Sequence, residues 1–238
     1  MEKTEKRCSA VILAAGVGSR FGNENGTKQN VPVLGVPAVV RTVLAFERCA
    51  LIDEIILVGR REELPVLEAY VREYALSKVS RIVEGGATRM ESSVNGVSAV
   101  SEGCRYVAVH DGARCLVTPE IIEDTVLAAF EFGAAAAAQR VVDTVKVADG
   151  DGIIEDTVDR EKVWLVKTPQ IFDIDIYRRS AEAAKRDGVT VTDDCMMAER
   201  LGVKIKLCDC GQNNIKLTTR EDLALAEFIL SQREEGLK

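Results

Sequence analysis

Short apolar runs alternate with amphipathic stretches along most of this chain, and that alternation sets the expected architecture. The runs Ser9 to Ala14, Glu54 to Val58, Ser80 to Val83 and Tyr106 to His110 are too short for helices and read as buried strands. Between them, Pro37 to Ala50, Glu62 to Tyr74 and Arg89 to Val100 read as amphipathic helices, with Pro37 suited to a first helical turn. Pro119 to Phe132 predicts the next helix, capped by Thr118 and stopped by Gly133. Ala134 to Val141 is ambiguous: consecutive alanines favour helix, whereas the short length and following β-branched residues favour a buried strand. We assign a strand.

Trp164 to Lys167 predicts a further strand, ended by a turn at Thr168-Pro169-Gln170. Helices follow at Ile174 to Arg186 and at Asp194 to Leu201, the latter capped by Thr192 or Asp193. Val203 to Cys208 is the last expected sheet strand, Asn214 to Leu217 a short extended piece, and Arg220 to Gln232 a terminal helix. The rhythm predicts one Rossmann-like three-layer α/β domain, with helices on both faces of a mostly parallel sheet. Only Asp143 to Arg160 breaks it. TVKV, the turn-forming DGDG and IIEDTV read as a two-stranded hairpin, a protruding arm within residues 143–162. An isolated hairpin is marginal in water, so this one needs a surface to pack on, and a second subunit is one candidate.

Composition narrows the function classes. A chain of 238 residues, 47% of them hydrophobic, can bury the core of a single domain. Its formal net charge of -7 argues against a broad nucleic-acid or membrane surface, since both partners recruit basic faces. The chain holds no apolar run long enough to span a bilayer, and MEKTEKRCSAVIL contains no cleavable apolar region, so the expected location is cytoplasmic. Seven cysteines, at 8, 49, 104, 115, 195, 208 and 210, form one close pair and no zinc pattern, and read as reduced thiols.

Against the acidic background, Leu13 to Gln29 (LAAGVGSRFGNENGTKQ) concentrates positive charge: Arg20 and Lys28 face a single carboxylate, Glu24. Ala14, Ala15, Gly16 and Gly18 carry little or no side chain, so backbone N–H groups there can close around a phosphate. A dinucleotide fingerprint needs glycine where Phe21 stands, and an acidic residue where Gly59-Arg60-Arg61 follows the second strand. A Walker loop needs Ser or Thr where Gln29 follows Lys28. Two cations on a long glycine-bearing loop suit nucleotidyl transfer instead. There an oxygen attacks the α-phosphorus in line, and fixed cations stabilise charge on the equatorial oxygens and the departing pyrophosphate.

The pattern LAAGxGxRFG followed by TKQ resembles the sugar-nucleotidyltransferase superfamily. GGATRMESSVNG (85–96), VHDGAR (109–114), DTVK (143–146), DTVDR (156–160), KTPQ (167–170), TDD (192–194) and NIKLT (214–218) narrow it. In order and spacing they are similar to the 2-C-methyl-D-erythritol 4-phosphate cytidylyltransferases, across nearly the whole chain. The resemblance implies cytidylyl transfer from CTP to methylerythritol phosphate, releasing pyrophosphate. It implies that Ala14, Ala15, Gly16, Gly18, Arg20 and Lys28 wrap the CTP phosphates, with Arg20, Lys28 and Lys216 serving catalysis. Gly86, Ala87 and Ser92 would meet the cytosine. Asp111, Arg114, Thr168, Thr192 and Lys216 would hold the acceptor, joined by Thr144 and Arg160 from the hairpin of a partner subunit. The expected assembly is therefore a homodimer with shared sites.

Mg²⁺ is implied as cofactor, bridging triphosphate oxygens while keeping several waters, with Asp111 as its candidate protein ligand or as a ligand for a substrate hydroxyl. His110 receives no catalytic role, because the nucleophile is a phosphate oxygen already ionised at neutral pH. Cys115 stands where the family usually has Pro, Cys195 where Ala is common and Ala87 where an acidic residue is frequent. The two cysteines raise the question of thiol sensitivity. Rival readings are a cytidylyltransferase for ribitol 5-phosphate or a related sugar-alcohol phosphate, and a non-catalytic nucleotide-binding protein.

Overall fold

The computed structural model describes residues 7–16 and 27–235. In chain order the first half holds β1 (Cys8–Leu13), β2 (Pro32–Val33), β3 (Val36–Pro37), α1 (Ala38–Arg48), β4 (Glu54–Gly59), α2 (Leu64–Glu73), β5 (Val79–Glu84), α3 (Arg89–Ser98) and β6 (Tyr106–Asp111). The second half holds α4 (Pro119–Phe132), β7 (Ala134–Arg140), β8 (Val145–Ala148), β9 (Ile154–Val158), β10 (Trp164–Asp173), α5 (Ile174–Arg186), α6 (Asp194–Glu199), β11 (Lys206–Asp209) and α7 (Arg220–Glu235).

Seven strands form one sheet in the order β11-β7-β10-β6-β1-β4-β5. β10 alone runs antiparallel to its neighbours β6 and β7, and the other pairings are parallel. Alternate residues of each central strand feed opposite layers, as the period of two requires. Ala10, Ile12, Ile55 and Leu57 pack with Phe46 of α1 and Val126 of α4. Val11, Leu13, Ile56 and Val58 pack with Val97 of α3 and Tyr177 of α5. The expected single three-layer domain with a mostly parallel sheet is what forms.

The alanine run settles as a strand because β10 and β11 pair with both of its edges. Ala134 to Ala138 are fully buried, so tertiary pairing overrides the helix propensity of alanine. Gly96 lets α3 lie directly on the sheet: a Cβ there would stand 2.3 Å from Val11 Cγ1 and 2.8 Å from Val58 Cγ2. The first turn of α3 is fixed by a capping box between Thr88 and Glu91. That turn sits at the carboxyl ends of β1 and β5, where an open α/β sheet places its ligands.

Three expectations need correction. The chain does not turn away at Thr168-Pro169-Gln170, and β10 continues to Asp173. The register passes from Val166 opposite Ala138 to Gln170 opposite Ala136, so a bulge absorbs the extra residues, including a cis Thr168-Pro169 bond. A bulge supplies what Pro169 needs, since proline donates no ladder hydrogen bond. β11 begins at Lys206 and not at Val203, and Asn214 to Leu217 forms no strand, being held by single bonds such as Leu217 N to Ala113 O at 2.8 Å. Elsewhere Val145 to Val158 does form the hairpin, β8 against β9. Its apolar side chains Val147, Ile153 and Ile154 are exposed.

Candidate active site

Asp111 is the last residue of β6 and lies at the end of the sheet beside β1, where the chain order reverses. Its carboxylate collects three cations: Lys216 Nζ at 2.9 Å and Arg114 Nε at 3.3 Å on Oδ2, and Arg89 Nε at 3.4 Å on Oδ1. Burial alone would raise the Asp111 pKa, but the charges of Lys216, Arg89 and Arg114 hold it well below the usual carboxylate range. Burial draws the Arg114 pKa down, yet a guanidinium remains charged at any physiological pH.

The backbone of Asp111 is secured as well. Asp111 N donates to Thr168 Oγ1 at 3.1 Å, and the same hydroxyl lies 3.1 Å from His110 Nδ1. His110 Nε2 lies 3.4 Å from Arg114 O, which can only accept. Because Arg114 O can only accept, the contact places a proton on Nε2, and in the neutral ring Thr168 donates to Nδ1. Burial pushes the His110 pKa down to about 3. His110 thus contacts both the Thr168 hydroxyl and the backbone of Arg114.

A second buried carboxylate sets the position of Arg89. Arg89 Nη1 donates to Asp194 Oδ2 at 2.7 Å, and Asp194 is 1% exposed. Ser93 donates to Asp194 Oδ1 at 2.7 Å, and Tyr177 reaches the same oxygen at 3.3 Å. Gln170 Oε1 accepts from the backbone N–H groups of Asp194 (2.9 Å) and Cys195 (3.1 Å). Burial works against charge on Arg89, but Asp194 and Asp111 more than offset it and push its pKa up. Arg89 thus joins α3, α6 and β6 at one point.

Of these groups, Arg89, Asp111 and Lys216 border a cavity of about 270 Å³. Ala15, Gly16, Lys28, Gly86, Ala87, Ser92, Asp111 and Lys216 are among its lining residues. Its charged lining residues are Lys28, Arg89 and Lys216 against Asp111, an excess of positive charge in a chain of net charge -7. A larger cavity of about 620 Å³ lies between α3 and α5 and shares only Thr88 and Arg89 with it. The larger cavity sets its cations Arg89, Arg178 and Lys185 against two carboxylates, Glu91 and Glu182, so the excess of positive charge is greater in the smaller one.

Other expected site residues fall into distinct positions. Gly18 and Arg20 lie outside the described residues. Ala14 is buried, its N–H donating to Val58 O at 2.7 Å. Ser92 is also buried: its Oγ accepts from Gly86 N at 3.0 Å and reaches Thr88 O at 2.9 Å, so it shapes the GGAT segment. Gly86 is obligatory there, since a Cβ would stand 2.2 Å from Glu91 Cβ. Thr168 is 3% exposed, its hydroxyl engaged by Asp111 and His110. Thr192 is exposed, just ahead of the α6 cap at Asp193. Thr144 and Arg160 are exposed on the hairpin and do not line this cavity.

Cys115 and Cys195 are buried, and burial raises both thiol pKa values, that of Cys115 to about 11. Thiolate at neutral pH is therefore scarce at both positions. Arg89, Gln170 and Asp194 carry no expectation from the sequence, although each lies inside a quoted motif. Asn214 is the remaining organiser: Nδ2 donates to Thr168 O at 2.9 Å, and its carbonyl accepts from Arg114 Nη1 at 3.1 Å.

A parallel α/β sheet with a cation-rich, glycine-edged cavity at its switch point defines a phosphate-handling enzyme of the nucleotidyltransferase class. The family model for 2-C-methyl-D-erythritol 4-phosphate cytidylyltransferase matches residues 8–232. A cytidylyltransferase of that name from Alkaliphilus oremlandii is 42% identical over 237 residues, 99% of this chain and all of its own. Another from Caldanaerobacter subterraneus is 42% identical over 93% of this chain and 98% of its own. The crystal structure of 4-diphosphocytidyl-2C-methyl-D-erythritol synthase from Anaerococcus prevotii superposes with a TM-score of 0.85 at 31% identity, covering 95% of this chain and 99% of its own. The chain belongs to the 2-C-methyl-D-erythritol 4-phosphate cytidylyltransferase family. Among the described residues, no helix is long and apolar enough to cross a membrane.

Proposed function

We propose a division of labour for the reaction that the family's name states, cytidylyl transfer from CTP to 2-C-methyl-D-erythritol 4-phosphate. A phosphate oxygen of the acceptor bonds to the α-phosphorus of CTP, the bond from that phosphorus to the bridging oxygen breaks, and pyrophosphate leaves with the electron pair. No general base is required, because the nucleophilic oxygen is already ionised. Lys28 and Arg20, both in the segment that follows β1 in the sequence, stabilise charge on the transferring and departing phosphates. Ala14, Ala15, Gly16 and Gly18 let the loop backbone close on the triphosphate, and Gly86, Ala87 and Ser92 shape the base pocket. One observation carries this reading: Asp111, held by three cations at the end of β6, lines the same cavity as Lys28.

In this reading Asp111 and Arg114 orient the acceptor, Lys216 holds its reacting phosphate, Thr168 supports Asp111, and Thr192 flanks the entrance. Asp111 is the one carboxylate lining the cavity, and no cluster of three metal-binding side chains exists among the described residues. Among the described residues this donor set suits Mg²⁺ carried in by the triphosphate, with Asp111 as its protein ligand. Bound there, Mg²⁺ would neutralise triphosphate charge. An acidic chain with free thiols fits the cytoplasm.

Thr144 and Arg160 complete the acceptor site of a second copy, and the exposed apolar side chains of the hairpin bury against that copy in a homodimer. Mixing inactive Arg160→Ala and Lys28→Ala proteins, with subunit exchange verified, should restore part of the activity through hybrid dimers carrying one intact site. No recovery after exchange would rule out sharing.

A further inference from the structure

Lys28 stands on a four-residue turn, Thr27 to Asn30, closed by Asn30 N donating to Thr27 O at 3.0 Å. Its flanks are tied down separately. Gln29 Nε2 donates to Gly16 O at 3.0 Å, and Gln29 O accepts from Val39 N at 2.9 Å, which links the turn to the loop after β1 and to α1. The other two residues meet a single carboxylate from a different element. Glu63, in the 3₁₀ turn that precedes α2, is 8% exposed. Its Oε1 accepts from the Thr27 hydroxyl and, at 3.0 Å, from Asn30 Nδ2, which also reaches Thr27 Oγ1 at 3.2 Å.

This clasp is costly. Glu63 Oε2 makes no hydrogen bond, and Arg60 Nε, 3.7 Å away, makes none either. Among the described residues five buried side-chain polar atoms make no hydrogen bond, and four belong to Gln29, Asn30, Arg60 and Glu63, the last two sharing only the 3.7 Å ion pair. Each such orphan costs about 1–3 kcal/mol, so stability alone does not account for a buried carboxylate here. A turn needing only closure already has its backbone bond. What the carboxylate adds is fixed placement of the two residues on either side of Lys28.

We propose that Glu63 is a positioning residue for cytidylyl transfer: by gripping Thr27 and Asn30 it holds the Lys28 turn at the wall of the nucleotide cavity. The inference rests on the catalytic reading of Lys28 given above. It predicts that Glu63 acts through Lys28 and through nothing else in the reaction.

A double-mutant cycle tests it, with kcat for pyrophosphate release from CTP and 2-C-methyl-D-erythritol 4-phosphate measured for wild type, Glu63→Ala, Lys28→Ala and the double variant. Glu63→Ala should lower kcat about 10- to 100-fold, as displacement of a catalytic group by about 1 Å does, with the acceptor KM changed less than about twofold. Glu63→Gln keeps an acceptor oxygen and should recover most of the loss. Added to Lys28→Ala, Glu63→Ala should cost less than about twofold more. If Glu63→Ala is soluble only as aggregate, Thr27→Val, which removes the hydroxyl at constant shape, takes its place in the cycle. A wild-type kcat in Glu63→Ala beside a strongly impaired Lys28→Ala would overturn the proposal and leave the loop reading intact. Equal losses from Glu63→Ala with and without Lys28 would overturn it too, as action through the fold. A wild-type kcat in Lys28→Ala would remove the loop reading and the proposal together.

Discussion

Lys28→Ala is expected to lower kcat by about 10² to 10³, equivalent to roughly 3 to 4 kcal/mol of barrier, the size of effect seen when a preorganised donor to developing charge is removed. Pyrophosphate then departs with one of its two proposed cationic partners missing, while bound CTP keeps its remaining contacts. The loss should therefore fall mainly on kcat, with KM for CTP changing far less. Lys28 is half-buried on a turn that other residues close, so the folded state should survive the change. Steady-state kinetics with a thermal melt check both parts. A variant within about threefold of wild-type kcat would remove Lys28 from the chemistry.

Asp111→Asn should be the most damaging substitution for fold and function together. It leaves Lys216, Arg114 and Arg89 converging on a neutral amide, and removing one partner from a buried ionic cluster typically costs about 3–5 kcal/mol. The acceptor site should spread, lowering kcat/KM for methylerythritol phosphate by at least about 10²-fold, because oriented contacts to the acceptor are lost. The pH dependence carries its own signature. The Asp111 pKa is depressed in the folded protein, so its stabilising contribution is complete above the unfolded-state value of about 3.9 and fades as pH falls below it. Acid unfolding followed by circular dichroism should show a shallower pH dependence below about pH 4 for Asp111→Asn than for wild type. Identical slopes would show that Asp111 is not held by its cations.

Much of the sheet was legible because buried strands announce themselves twice, by apolar runs and by the turn chemistry between them. Gly133 after α4 and Thr118 before it are examples where cap and stop match the observed helix. The exceptions have physical causes. Pro169 reads as an interruption in any local analysis, and only the pairing of β10 on both edges shows that a bulge accommodates it. That bulge matters to the site, since it presents Thr168 to His110 and to the backbone of Asp111.

The site was legible in part for a related reason. Lys28, Asp111 and Lys216 stand out as charged residues beside apolar strands or within glycine-bearing motifs, and they do border one cavity. Arg89 and Asp194 lie 105 positions apart, and nothing local in either segment declares that they pair. Thr168 and Ser92 were expected to offer hydroxyls to substrate, whereas both hydroxyls serve the protein's own backbone and side chains. Motif position brings these residues to one neighbourhood, and the hydrogen bonds show which of their side chains are already engaged within the protein.

Acceptor choice is the most direct test, because in the proposed division of labour the residues around Lys28 would serve any cytidylyltransferase and those around Asp111 would select the acceptor. Purified wild-type protein with CTP and Mg²⁺ should release pyrophosphate with a higher kcat/KM for 2-C-methyl-D-erythritol 4-phosphate than for ribitol 5-phosphate. A higher kcat/KM with ribitol 5-phosphate would contradict the account.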